Sequence, residues 1–207
     1  MTHAETMTKL WGDVDPFAHA PVDIQGWNED HPYLNALADR CQVIVEIGVW
    51  KGASAIIMAT RMRAGSTLIA VDHFAGSAEH WTDSSGVLPR HSNGTSRLYD
   101  VFRANVISKG LMKRIVPLPV DSAAAAKILT DTGIRPDGIY IDAAHDKPSC
   151  LADLLRWWPL LQDGGVMVVD DYRSGWTGVT EAVDLFHDVT EMEFSVLSPK
   201  CWMGKPQ

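Results

Sequence analysis

No stretch of the 207-residue sequence approaches the roughly 18 consecutive apolar residues of a membrane-spanning helix, so no membrane partner is expected. Cysteine is scarce: Cys41, Cys150 and Cys201 are far apart, odd in number and without a C-x-x-C pair, which argues against a disulfide framework or a thiolate zinc site. Basic charge is also short, with 18 Lys and Arg against 26 Asp and Glu and a net charge of −8. A phosphate-tracking surface is therefore not expected, and nucleic acid is set aside as a partner. The opening residues MTHAETMTKLW have no apolar run behind a basic one; with unpaired cysteines, this points to the cytoplasm. What is present is an ordinary globular composition, 46% hydrophobic and 21% charged, in a chain the length of one domain, residues 1–207.

Residues 1–33 place Trp11, Phe17, Trp27 and Tyr33 among Asp, His, Gly and Pro without helical or strand periodicity, and read as an irregular or partly helical N-terminal arm. Beyond it, short β-branched runs alternate with helix-length segments, the texture of a parallel sheet covered on both faces. The runs are Gln42 to Glu46, Thr67 to Asp72, Ile115 to Leu118, Gly138 to Asp142 and Val166 to Asp170. Four of them end on an acidic residue, and the third reaches Asp121 soon after. Helices are predicted over 53–63, 98–109, 122–129, 147–162 and 179–189, with Pro159 kinking or shortening the fourth, and a late strand over 193–197. Trp157 and Trp158 lie on an apolar helix face and read as core or subunit contact, which allows a homodimer. Residues 74–97 are too long for an ordinary connection and read as a substrate lid; its irregularly spaced neighbours His73, His80 and His91 do not suggest zinc.

Two groups of residues carry chemistry. The first is Glu46-Ile-Gly48-Val-Trp50-Lys-Gly52-Ala-Ser54, an E-x-G-x-x-x-G turn between a strand and a helix. Glycines there let the backbone pass close to a ligand, while Trp50 breaks the G-x-G-x-x-G dinucleotide fingerprint and suits a compact nucleoside better than a pyrophosphate. Asp72, 20 residues after Gly52, stands where an acidic side chain accepts hydrogen bonds from ribose hydroxyls. Trp50, Ser54 and His73 complete this cofactor-facing set with Glu46. The second group is Asp142-Ala-Ala-His145-Asp146 together with Asp170-Asp171-Tyr172. Three carboxylates converging at one sheet edge repel one another unless a cation sits between them, and oxygen ligands favour Mg²⁺ or Mn²⁺. His145 could then take the proton from a substrate hydroxyl, or Asp170 and Asp171 could merely cap a turn and His145 be a loop residue.

E-I-G-V-W-K-G-A-S-A, I-Y-I-D-A-A-H-D and L-L-Q-D-G-G-V-M-V-V-D-D-Y resemble class I S-adenosylmethionine-dependent methyltransferases over roughly residues 40 to 175. The nearest subgroup is the metal-dependent one that includes macrocin-type sugar O-methyltransferases and, more distantly, catechol O-methyltransferase. The resemblance implies a Rossmann-like α/β fold: a seven-stranded, mostly parallel sheet with helices on both faces and an antiparallel last strand, the region 193–204 supplying the final hairpin. It implies Glu46, Gly48 and Gly52 at the methionine end of the cofactor, Asp72 on the ribose, and Asp121 and Ser122 beside the adenine, with a helix cap as the alternative for these two. It also implies Asp142, Asp170 and Asp171 as metal ligands, Asp142 bordering the cofactor as well, and His145 as base. Trp50 in place of a glycine and Asp171 in place of an amide depart from the pattern. The activity implied is Mg²⁺-dependent methyl transfer to a hydroxyl of a small molecule such as a sugar, a natural product or a catechol-like diol. A nicotinamide-dependent oxidoreductase, a non-catalytic cofactor-binding partner protein and an iron-dependent oxidation are the rival readings.

Overall fold

The computed structural model describes residues 19–25, 31–82, 87–197 and 199–207. Most of the expected N-terminal arm, with Trp11, Phe17 and Trp27, and residues 83–86 of the expected lid lie outside the described residues. In chain order the elements are α1 (His31–Arg40), β1 (Val43–Ile47), α2 (Ala53–Arg61), β2 (Thr67–Val71), α3 (Ala78–Thr82), α4 (Leu98–Ser108), β3 (Ile115–Leu118), α5 (Ser122–Thr132), β4 (Gly138–Ile141), α6 (Lys147–Trp157), β5 (Val166–Val169), α7 (Thr177–Thr190), β6 (Ser195–Leu197) and β7 (Lys200–Gly204). The strands form one seven-stranded sheet in the order β3-β2-β1-β4-β5-β7-β6. β1 to β5 pair in parallel, β7 runs antiparallel to β5, and β6 antiparallel to β7. This is the Rossmann-like sheet that the resemblance implies, with the C-terminal hairpin supplying the antiparallel edge.

Alternation along the central strands sorts the core into two layers. Ile44, Leu68, Ile115, Tyr140 and Val168 face α1, α2 and α4, packing against Leu34, Met58 and Phe102. Val45, Ile69, Ile139, Met167 and Val169 face α5, α6 and α7, packing against Leu129, Trp157 and Phe186. α1 is a helix that the sequence reading left unassigned: Leu34, Leu37 and Ala38 give it one buried edge, and Pro32 suits its first turn.

Local chemistry sets the helix ends. The carboxylates of Asp121 and Asp146 accept hydrogen bonds from the backbone N–H groups of Ala124 and Ser149 and so cap α5 and α6. Gly133 closes α5 at φ 71°. α6 stops at Trp157 and gives way to a 3₁₀ turn over Trp158–Leu160, since Pro159 offers no N–H and its ring crowds the preceding turn. The fourth predicted helix is thus shortened rather than kinked. Trp157 is fully buried and half-buried Trp158 packs on the same cluster, so both tryptophans serve the interior of this chain.

Truncating Trp157 removes the largest side chain of the second layer and the indole N–H that serves Ser122. Trp157→Ala is expected to lower the unfolding free energy by about 3–5 kcal/mol in urea denaturation. A loss below about 1 kcal/mol would contradict this packing.

Candidate active site

The strand order reverses direction between β1 and β4, and in open parallel sheets a crevice opens there beyond the carboxyl ends. A cleft of about 990 Å³ occupies this place, walled by the β1–α2 loop and by the residues that follow β2, β4 and β5. The segment before α1 adds Ile24 and Gln25 to the wall. It is fastened by Lys51, whose Nζ lies 2.5 Å from Asp23 Oδ2, and by buried Asn105, which bonds both backbone groups of Asp23 at 2.8 Å.

On the nucleoside side, Gly48 adopts φ 88° and passes so close to β4 that a Cβ there would lie 1.9 Å from the Asp142 carbonyl oxygen. Asp72 clamps the loop, its two carboxylate oxygens accepting from the backbone N–H groups of Trp50 (2.9 Å) and Phe74 (2.6 Å). Trp50 holds the left-handed conformation, φ 53°, that a glycine would adopt without strain, and its ring stacks on His80 at 4.3 Å. Gly48, Trp50, Ser54, Asp72 and His73 all line the cleft.

Three of the expected cofactor residues stand elsewhere. A Cβ on Gly52 would meet the Phe102 ring at 2.8 Å, so this glycine serves helix packing and the left-handed entry to α2. Glu46 is fully buried beneath the loop, accepting a hydrogen bond from the Ser54 hydroxyl. Burial, partly offset by that bond and reinforced by the Asp72 and Asp170 charges, raises its pKa to about 8. Asp121 is the α5 cap, whereas Ser122 borders the cleft while its hydroxyl donates to Asp153 and accepts from Trp157 Nε1.

On the other side, Asp142, His145, Asp170 and Asp171 all line the cleft. His145 Nε2 is 3.1 Å from Asp171 Oδ2, and its ring stacks on Trp176 with centroids 4.2 Å apart. Gly178 lets α7 approach this loop, since a Cβ there would lie 2.4 Å from the His145 carbonyl oxygen. Asp171 itself sits at φ 59°, with its carboxylate also bound by the Ser174 hydroxyl. Burial pushes the Asp171 carboxyl up, but the His145 and Ser174 hydrogen bonds and the His145 and Lys200 charges outweigh it and hold it below its ordinary value. Asp142 is pushed well up by burial and by the charges of Asp170, Asp171 and Glu46, with Lys200 opposing.

Of the expected ligands Asp142, Asp170 and Asp171, Asp170 is already engaged. Asp170 accepts from Lys200 Nζ at 2.5 Å and from the Asp171 backbone N–H at 2.8 Å on one oxygen, and from the Tyr140 hydroxyl on the other. Among the described residues, the ligand atoms that come within 4.8 Å of one another belong to Asp142, His145 and Asp171. That grouping brings the imidazole in and leaves Asp170 out, because Asp170 is taken up by Lys200 and Tyr140. Sequence reasoning missed Lys200, Tyr140 and Trp176. A lysine opening the otherwise apolar strand K-C-W-M was the available signal for the first.

The methyltransferase domain family matches residues 45–172 of the chain. Among solved structures the chain is similar to an O-methyltransferase from Bacillus cereus in complex with SAH, at 18% identity over 87% of this chain and 83% of that one, with a TM-score of 0.64. It is also similar to the O-methyltransferase TomG from Streptomyces achromogenes, involved in tomaymycin synthesis and solved with SAM, at 15% identity over 88% and 82% with a TM-score of 0.63. A third is cofactor-bound Rv0187 from MTB, at 18% identity over 99% and 96% with a TM-score of 0.63. At such identities the likeness is one of fold. No curated protein sequence matches the chain.

Buried Glu46 makes a prediction about pH. Its folded value of about 8 lies above the ordinary 4.5, so the folded state keeps a proton that the unfolded chain releases, and stability falls as pH rises between those values. Glu46→Gln retains an acceptor for Ser54 and removes this dependence. Wild type is expected to lose stability relative to the variant with a slope approaching about 1.4 kcal/mol per pH unit across that window. Parallel stability curves in pH-dependent denaturation would contradict the assignment.

Proposed function

The chain belongs to the methyltransferase domain family, and from that premise we propose that it moves a methyl group from S-adenosylmethionine to a hydroxyl of a small molecule. The observation that carries the reading is the His145–Asp171 pair facing the same cleft as the Gly48 turn and Asp72. S-adenosylmethionine supplies an electrophilic methyl group on a sulfonium sulfur and leaves as S-adenosylhomocysteine.

The residues of this chain do the rest. The Gly48 turn brings backbone close to the nucleoside, and Asp72, already fixed by two loop N–H groups, keeps lone pairs for ribose hydroxyls. Asp171, held below its ordinary value, places negative charge on the side of the cleft where the sulfonium cation would sit. Asp171 orients the His145 imidazole, so His145 accepts the hydroxyl proton as the acceptor oxygen attacks the methyl carbon and the carbon–sulfur bond breaks. Trp50, stacked on His80, gives the acceptor a flat wall, in keeping with a sugar or an aromatic diol. The Mg²⁺ or Mn²⁺ expected from the resemblance has no part in this mechanism. Asp170 already holds Lys200, and the group that would replace it as a ligand is the base. A nicotinamide reaction fits less well, because Trp50 stands where a pyrophosphate would need the backbone bare.

S-adenosylhomocysteine should raise the melting temperature, NAD should not, and Asp72→Ala should reduce the shift. Stabilisation by NAD with no response to S-adenosylhomocysteine would overturn the assignment.

His145→Ala is expected to lower kcat by roughly 10²- to 10⁴-fold in an acceptor screen with a labelled methyl donor, with S-adenosylhomocysteine affinity unchanged. A rate near that of wild type would reduce His145 to a loop residue.

A further inference from the structure

Lys200 is the first residue of β7 and is fully buried. The antiparallel register pairs Cys201 with Val169, which brings the lysine alongside Asp170 just beyond the end of β5. Its Nζ donates to Asp170 Oδ1 at 2.5 Å and to the Tyr140 hydroxyl at 3.3 Å, and lies 5.6 and 5.9 Å from the ring centroids of Tyr140 and Tyr33. Tyr140 in turn donates to the second oxygen of Asp170. A buried ammonium is costly, and the arrangement persists only if the charges around it compensate. The charges that compensate it are Asp170, its direct partner, and Asp171, whose carboxyl is held below its ordinary value, both just beyond the end of β5. The field of Lys200 reaches Asp142 and Asp171 as well as its direct partner.

We propose that Lys200 is the resident cation of this site and takes the place of a divalent metal ion: its ammonium satisfies Asp170, eases the repulsion between Asp142 and Asp171, and makes methyl transfer independent of added metal. The proposal rests on the methyltransferase reading for its chemistry and on the Lys200–Asp170–Tyr140 geometry for its electrostatics. Lys200 acts through Asp170 and Tyr140, so it is a positioning residue. A divalent ion entering the cleft would have to displace the ammonium from Asp170 or bind Asp142, His145 and Asp171 against its positive charge.

The test titrates Mn²⁺ alone into the full chain, with free Mn²⁺ followed by electron paramagnetic resonance. Because no acceptor or methyl donor is needed, its outcome is separate from that of the methyltransferase assignment. Wild type is expected to show no saturable binding up to millimolar metal. Lys200→Met frees the Asp170 carboxylate and should bind Mn²⁺ at least about tenfold more tightly, and adding Asp170→Ala should cancel the gain. Should Lys200→Met fail to fold, Lys200→Gln keeps a hydrogen-bond donor for Asp170 and carries the same comparison. Micromolar binding by wild type that Asp142→Ala removes would overturn the proposal, and so would a folded Lys200 variant that binds no better than wild type. Once an acceptor is found, wild-type turnover in EDTA should match that in Mg²⁺, whereas turnover of the Lys200 variant should depend on the metal.

Discussion

The crowding of carboxyl groups at the carboxyl ends of β1, β4 and β5 is the constraint on which the rest of the site depends. Glu46, Asp142, Asp170 and Asp171 are brought together by the parallel register of three adjacent strands, each ending on or beside an acidic residue. Like charges at this spacing in a buried setting raise one another's pKa and oppose folding unless each finds a partner. The fold supplies a different partner to each of three: the Ser54 hydroxyl to Glu46, Lys200 and Tyr140 to Asp170, and His145 and Ser174 to Asp171. Asp142 is pushed well up by burial and by its neighbours' charges, and it borders the cleft where a sulfonium cation would stand.

The nucleoside half of the cleft is built from backbone rather than charge. Gly48 abuts the carbonyl of Asp142, so the β1 turn and the β4 end form one rigid rim. Asp72 ties that rim to the chain leaving β2. Trp50 tolerates a left-handed backbone in a place where glycine is unstrained, at a cost of roughly 1–2 kcal/mol, and its stacking on His80 links the loop to α3. Both halves rest on two hydrophobic layers that clasp the sheet, so the site is positioned by the core and completed by loops.

Much of this was legible in the residues themselves. Five parallel strands were readable from their β-branched runs, and their acidic ends located the cleft, since ligands gather where such strands finish. Of the final hairpin, only the late strand was readable from the residues; its partner strand followed from the resemblance. Other features depend on tertiary context that periodicity does not carry. α1 buries only a narrow edge in a polar helix and was passed over. Asp121 reads from the sequence as either a cap or an adenine contact, and its carboxylate accepts the Ala124 N–H as the α5 cap. Asp170 was grouped with its neighbour Asp171, yet consecutive residues turn to different partners after β5. The partner that separates them comes from a strand 30 positions later in the chain. Lys200 could be noticed as a charge in an apolar strand, but its counter-ion followed only from the antiparallel register.

The central claim is that this cleft holds a methyl donor against a carboxylate cluster whose charge is balanced from within. A crystal structure grown with S-adenosylhomocysteine and Mn²⁺, with data collected at the manganese edge, tests it most directly. The account predicts the nucleoside between Gly48 and Asp72, Lys200 still paired with Asp170, and no anomalous peak among Asp142, His145 and Asp171. A manganese ion bound by Asp170 with the lysine turned away, or a nucleoside found outside the cleft, would contradict it.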